Sequence, residues 1–330
     1  MEEKIDFVVT WVDGNDKEWQ QEKSKYNKIK DDESNAIIRY RDWEITKYWF
    51  RAIEQYAPWV NQIFFVTCGH VPEWLNLEHP KLKFVKHTDF MPKEVLPTYN
   101  SNAIELYLHK IPELEEKFVY FNDDMFLVSP VEKEDFFEKG KPKDALIFNA
   151  VSVKDSNNII EHTILNNLEI IAKHIPKNEV KKSNLFHLKY GTSNIRNLLL
   201  TPWKYYTGML NPHIPISHLK STMDTLWDLE QKTLFETTTH KFRTKEDCSH
   251  WVFRYWNLVT GNFIPTSMKQ YGYRNLENEN IQFMKDIINH KYKMVCINDS
   301  NEEIHFEKVK KELIQMFEQL LPEKSMFEKE

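Results

Sequence analysis

Glycine is scarce in this chain, with seven in 330 residues. Neither G-x-G-x-x-G nor G-x-x-x-x-G-K-[ST] occurs, so a backbone nest is not the device that would hold phosphate. Bound phosphates would need cationic side chains and a metal instead. Cysteine is nearly absent as well. Cys68, Cys248 and Cys296 are too few and too scattered for a disulfide framework or a zinc site, which suits a reducing compartment. Positive charge is not in excess: the formal charge is -6, against a nucleic-acid partner as the main business. No uninterrupted apolar run is long enough to span a bilayer, and Met1-Glu2-Glu3-Lys4 opens no signal-peptide core, so a cytoplasmic location is the default expectation. What is present is a globular composition, 41% hydrophobic and 28% charged, enough to bury one large core or two joined ones. The aromatic share of 14% includes ten Trp. Exposed members such as Trp74 or Trp203 would be able to stack on sugars, although a core role is the usual one.

The run from Lys117 to Val128 is strand-forming and apolar except at its centre, where Asn122, Asp123 and Asp124 interrupt it. Burying those groups unpaired would cost several kcal/mol each (roughly, from transfer energies). A strand that surfaces at Asn122 avoids the cost and presents hard oxygen ligands, of the kind Mg²⁺ or Mn²⁺ on a diphosphate requires. Asn-Asp-Asp is also ordinary turn chemistry. A second strand, Ile5 to Val12, runs into Asp13-Gly14-Asn15-Asp16, and a third, Tyr292 to Ile297, runs into Asn298-Asp299-Ser300. Asp13-Gly14 alone reads more readily as the start of a turn than as a site. Three acidic strand exits are harder to assign to turns alone, because in open α/β sheets ligands bind beyond the carboxyl ends of the strands.

Further strand candidates are Gln62–Thr67, Leu82–Lys86 and Ala145–Asn149. Helical spacing of apolar residues marks Trp43–Tyr56, stopped by Pro58, and Asn102–His109, followed by Pro112. The alternation predicts a Rossmann-like, mostly parallel, doubly wound α/β sheet. From about residue 155 to Val259 helical patterning dominates, and Glu302–Glu328 reads as a closing amphipathic helix. The expected organisation is an α/β part over 1–150, a mainly helical insertion over 151–265, and a returning strand with a C-terminal helix over 266–330. The arginines available to hold phosphate are Arg39, Arg41, Arg51, Arg196 and Arg243.

The segment Asp6 to Asp16 resembles the first signature of the Stealth family, sugar-1-phosphate transferases of microbial capsules and other polysaccharides. That family also includes the catalytic subunit of the animal lysosomal-enzyme N-acetylglucosamine-1-phosphotransferase. Arg39-Tyr40-Arg41-Asp42 through Ala57-Pro58-Trp59-Val60, Pro72-Glu73-Trp74-Leu75, Leu96 to Glu105 and Phe121-Asn122-Asp123-Asp124 resembles the second signature. Pro212-His213-Ile214-Pro215 with Phe242 to Asp247 is similar to the third, and Ile297-Asn298-Asp299-Ser300 to the fourth. The four keep their order over most of residues 5–300. Residues 150–205 match no signature, and His218 stands close enough to His213 to compete for the histidine role.

The resemblance implies transfer of a hexose 1-phosphate from a nucleotide-sugar, a UDP-N-acetylhexosamine or similar, to a hydroxyl of an oligo- or polysaccharide acceptor. A phosphodiester forms and nucleoside monophosphate leaves. It further implies Asp123, Asp124 and Asp299 as ligands of Mg²⁺ or Mn²⁺, and Asp124, His213 and Arg243 as catalytic residues. His213 would be the general base and Arg243, with Arg41 second, the clamp on the transferred phosphoryl group. By analogy with acids at strand ends in dinucleotide folds, Asp13 and Asn15 are expected at the ribose or base, and Arg41, Asn100, Ser101, Asn122 and Asp247 are expected to bind substrate. The expected place is the cytoplasm, with peripheral association at the inner face of the membrane beside a polysaccharide assembly complex. Two rivals stand against this reading: a metal-dependent glycosyltransferase releasing nucleoside diphosphate, and a non-catalytic sugar-binding component of such a complex.

Overall fold

A computed structural model describes residues 3–26, 41–153, 155–299 and 304–329. Arg39, Tyr40, Ser300 and the start of the predicted closing helix at Glu302 lie outside the described residues. The strands are β1 (Asp6–Thr10), β2 (Ile63–Thr67), β3 (Leu82–Lys86), β4 (Lys117–Phe121), β5 (Met125–Leu127), β6 (Phe137–Glu138), β7 (Lys141–Asp144), β8 (Ile216–Leu219), β9 (Ile264–Pro265), β10 (Tyr271–Asn275) and β11 (Met294–Asn298). The main sheet has the order β3-β2-β1-β4-β8. β1, β2, β3 and β4 are parallel, and β8 closes the edge antiparallel to β4.

Alternation along β1 explains why this sheet is covered on both faces. Phe7 and Val9 point into one core with Phe65, Val119 and Phe121, while Val8 points into the other with Phe64, Val66, Phe118 and Tyr120. The helices Thr46–Tyr56 and Phe306–Leu320 complete the first core: Tyr48 stacks on Phe317 at 5.2 Å, and Trp49 meets Phe121 edge-on at 5.4 Å. The helices Ser101–Tyr107, Ile159–His174, Lys220–Thr239 and Trp251–Thr260 cover the opposite face. The doubly wound α/β architecture read from the sequence is the one found.

Two local departures have physical causes. Ala145–Asn149 does not form a strand, because side chains capture the groups a ladder would use. Asn197 accepts from the Phe148 N–H at 2.6 Å and donates to the Leu146 carbonyl at 2.9 Å, while the Tyr190 hydroxyl takes the Leu146 N–H at 3.3 Å. The segment retains one isolated bridge, Phe148 to Met209. The returning strand β11 joins not the main sheet but a second one, ordered β10-β11-β5 and antiparallel to β5. The chain therefore passes from one sheet to the other across Asn122, Asp123 and Asp124.

Candidate active site

From β1 the chain winds outward to β2 and β3, then returns to place β4 on the other side of β1. The crevice beyond the carboxyl ends of β1 and β4 is thus the topological switch point, where α/β sheets bind ligands. Beneath it the Thr10 hydroxyl and Tyr120 hydroxyl are hydrogen-bonded at 3.0 Å.

β4 ends at buried Phe121, and the Met125 N–H closes a turn onto the Asn122 carbonyl at 3.1 Å. This turn lifts Asp123 into solvent and leaves Asp124 half-buried. The Ile297 N–H holds the Asp124 carbonyl at 2.8 Å, and the Cys296 thiol donates to Asp124 Oδ2 at 3.2 Å. Asp124 Oδ1 is buried with no hydrogen-bond partner. A carboxylate oxygen of Asp124, a ring nitrogen of His213 and Sγ of Cys296 lie within 4.8 Å of one another. The His213 ring lies nearly parallel to Tyr273 of β10, with centroids 5.9 Å apart.

The acids repel one another. Although Asp123 reaches solvent, it does so amid dense protein, and lost hydration together with the charges of Asp124 and Asp42 pushes its carboxyl up to about 7. Lost hydration also raises Asp124, against the opposing pull of His213, Cys296 and Arg243. Asp42 is raised in the same way, with Asp13 and Glu44 adding to the effect. Burial and Asp124 push Cys296 well above the ordinary thiol value, so it remains a neutral thiol. A row of mutually repelling carboxylates with an orphaned oxygen is the arrangement a hard divalent cation relieves. The donors that converge are the Asp124 carboxylate, the His213 imidazole and the Cys296 sulfur, with Asp123 next along the chain, and a divalent cation held there would be completed by oxygens of a substrate.

Arg243, near enough to Asp124 to lower it, donates through Nη2 to the Ser101 hydroxyl at the start of the helix Ser101–Tyr107. Asn100 caps that helix by accepting from the Asn102 N–H at 3.0 Å. Asn100 also donates to Asp247 at 2.8 Å, and both residues are fully buried. Asp247 further accepts from the Thr244 hydroxyl at 2.9 Å and pairs with His240 at 2.7 Å. In this arrangement Asn100 and Asp247 hold the loop that carries Arg243. Glu105 lies below, its carboxyl raised to about 7 by burial against the opposing charge of Arg243, with the Tyr120 hydroxyl donating to it at 3.3 Å.

Asp13 accepts from the Asn15 N–H at 2.9 Å, a local turn, and Asp16 accepts from the Trp19 N–H at 2.7 Å at the head of the helix Lys17–Tyr26. The turn reading holds there, with Asn15 exposed and Asp13 near enough to Asp42 to raise it. Asp299, expected beside Asp123 and Asp124, has both oxygens engaged by Arg41, at 2.6 and 3.0 Å, and accepts from the Trp43 indole at 3.3 Å. Arg51 is spoken for by Glu328, and Arg196 by Asn149. His218 is buried in β8, paired with His250 at 3.1 Å and depressed to about 3, so it faces the core; His213 is the histidine at the acids.

Sequence reasoning missed Asp42, Glu105 and Cys296 as members of the site. The first two stand within the second signature, but charge pattern alone does not separate them from surface acids. Cys296 precedes an acidic strand exit by two positions, a signal visible only once β11 is known to lie against β5.

Fold and site together define a doubly wound α/β protein with a group of acids at its switch point. Family models described as Stealth protein CR1, conserved region 1, and Stealth protein CR2, conserved region 2, match residues 3–31 and 39–145. The capsular polysaccharide phosphotransferase WcwK of Streptococcus pneumoniae is 43% identical over 99% of this chain and 98% of its own length. The exopolysaccharide phosphotransferase cps2G of Lactiplantibacillus plantarum is 40% identical over 98% of this chain and 96% of its own. The chain belongs to the Stealth family. A solved galactosyltransferase, LgtC, covers 97% of both chains at 10% identity and a TM-score of 0.37, too loose a likeness to bear on the reaction.

Proposed function

We propose that this protein is a phosphotransferase of capsule or exopolysaccharide synthesis. It transfers hexose 1-phosphate from a nucleotide-sugar to a hydroxyl of an acceptor glycan and releases nucleoside monophosphate. One observation carries the reading: at the switch point Asp124, next along the chain to Asp123, meets His213 and Cys296, in a chain that matches phosphotransferases along its whole length.

Residues 1–150 supply the nucleotide-sugar crevice, with Asp13 and Asn15 at its nucleotide end. Residues 151–265 bring in His213 and Arg243, and residues 266–330 close the crevice through Cys296, Asp299 and Tyr273. Asp123 and Asp124 would hold Mg²⁺ or Mn²⁺, which would supply positive charge to the leaving phosphate. His213 accepts the proton of the attacking hydroxyl, and its near-parallel contact with Tyr273 fixes the ring plane. Arg243 neutralises the transferred phosphoryl oxygens. Ser101 orients that guanidinium, and Asn100 and Asp247 position the loop behind it. Asp299 sets Arg41 at the rim as a second cation, and Asn122 shapes the turn that presents the acids. The work is done on the cytoplasmic side, next to a membrane-bound assembly complex.

The test is the identity of the nucleotide product. Incubation with a panel of nucleotide-sugars and a capsule-type oligosaccharide should yield nucleoside monophosphate and an acceptor heavier by hexose plus phosphate. Nucleoside diphosphate with a plain glycosidic product would replace this reading by a metal-dependent glycosyltransferase.

A further inference from the structure

The helix Ser193–Leu200 is built inside out. The residue it buries is polar: Asn197 is fully enclosed, accepting from the Phe148 N–H and donating to the Leu146 and Leu185 carbonyls. The residues it shows to solvent are apolar, with Ile195, Leu198 and Leu199 at 60%, 63% and 67% exposure. An amphipathic helix of a water-facing surface has the opposite arrangement. The flanking chain continues the pattern: Leu188, Trp203 and Tyr205 are 96%, 61% and 68% exposed. Contiguous apolar exposure of this kind marks an interaction surface.

The conformation is held in place. The buried Lys177 ammonium caps the helix end by donating to the Leu200 and Trp203 carbonyls at 2.6 and 2.8 Å, and Asn194 ties back to the His187 carbonyl at 2.9 Å. The leucines are therefore presented by a fixed scaffold. The same stretch of chain carries five exposed bases, Lys181, Lys182, Lys189, Arg196 and Lys204, and within residues 177–205 the sole acid is Glu179. None of the five pairs with an acid among the described residues. In a chain of net charge -6 this is a local concentration of the opposite sign.

Exposed leucines, Trp and Tyr interspersed along the chain with bases that meet no acid form the pattern of a surface that seats in the headgroup region of an anionic bilayer. We propose that residues 181–205 dock this protein onto an anionic membrane surface, with Leu198, Leu199 and Trp203 inserted and the bases against lipid phosphates. No helix among the described residues is long and apolar enough to cross a membrane, so the contact is one of lying on the surface. This inference rests on the surface alone and stands or falls independently of the reaction. Tyr205 leads along the chain into the segment carrying His213, so a membrane-seated patch would set the crevice near acceptors held at the bilayer.

The test is cosedimentation of the full chain with vesicles of phosphatidylcholine alone or with phosphatidylglycerol at about one third. Binding should appear with the anionic vesicles and weaken as salt rises. Lys181→Glu with Lys182→Glu should lower the partition coefficient by at least about tenfold, and Leu198→Ser with Leu199→Ser should abolish binding, both with unchanged circular dichroism and melting. Equal binding to neutral vesicles, no binding to either, or undiminished binding by both variants would overturn the proposal. So would a wild-type dimer in sedimentation equilibrium that the Leu198→Ser, Leu199→Ser variant converts to monomer without any vesicle effect, because the patch would then be a contact between two copies of the chain.

Discussion

Asp123 concentrates the electrostatic tension of the crevice in one side chain. Lost hydration and the neighbouring acids push its carboxyl up to about 7 from an ordinary value of 3.8. Between those values the folded chain holds a proton that the unfolded chain has released, so this residue's contribution to stability falls as pH rises through the window and is flat above it. In metal-free protein the melting temperature of Asp123→Asn relative to wild type should therefore be near zero at pH 4 and increasingly positive toward pH 7.5. A difference that stays constant across that range would show that Asp123 ionises normally. Asp124→Asn should instead lose turnover heavily and recover part of it in excess Mg²⁺ or Mn²⁺, since charge rather than shape is removed. Full wild-type activity in a strong chelator would reduce both acids to structural roles. His213 and Arg243 act on one transition state. Loss of a general base costs about 10²–10⁴-fold and loss of a charged donor about 10²–10³-fold, but such losses do not multiply. Steady-state rates of the His213→Ala, Arg243→Ala double mutant should be little below those of the poorer single mutant.

Among the elements, the helix Thr46–Tyr56 shows how position decides what a cation does. Arg51 was one of several arginines equally available to hold phosphate from sequence alone, yet it lies on the core side of that helix. It forms a doubled contact with Glu328, at 2.8 and 3.0 Å, and donates to the Leu321 carbonyl, so it clasps the C-terminal tail. Both side chains are nearly buried, at 5% and 6% exposure. Arg51→Met should cost about 3–5 kcal/mol by stranding Glu328, and adding Glu328→Leu should recover much of that; urea titration of the three proteins measures it. A cost from the double mutant equal to that of the single would mean the guanidinium matters through packing. The same element explains what the sequence made legible. The core strands β1 to β4 and this helix announce themselves through apolar period, and Asp123 and Asp124 stand out because charge interrupts an apolar run. β8 was not legible, because four residues carrying His218 inside a helical stretch have no period to read. Ala145–Asn149 misled in the other direction, as its apolar run gave no sign that Asn197 and Tyr190, far along the chain, would take its backbone groups. The partnership of Cys296 with Asp124 depends on β11 leaving the main sheet, which no local pattern encodes.

At the scale of the whole molecule, Asp124 belongs to both sheets at once. Its chain direction comes from β4, while its carbonyl and carboxylate are held by Ile297 and Cys296 of β11. The helix Phe306–Leu320 that follows β11 packs into the same core as β1 and β4, so the second sheet is fastened to the first through both the site and the core. A ligand that binds at Asp123 and Asp124 should accordingly stabilise the molecule as one unit. At a hundredfold excess over Kd, Mn²⁺ with a nucleotide-sugar contributes about 2.7 kcal/mol to the folded state alone. Calorimetry should show one cooperative transition that moves upward by a few degrees (roughly, for a chain of this size). Asp124→Asn should remove the shift while leaving a single transition. Two transitions of which the ligand moves only one would show that the sheets melt separately, and that the acids belong to one of them rather than to the joint between them.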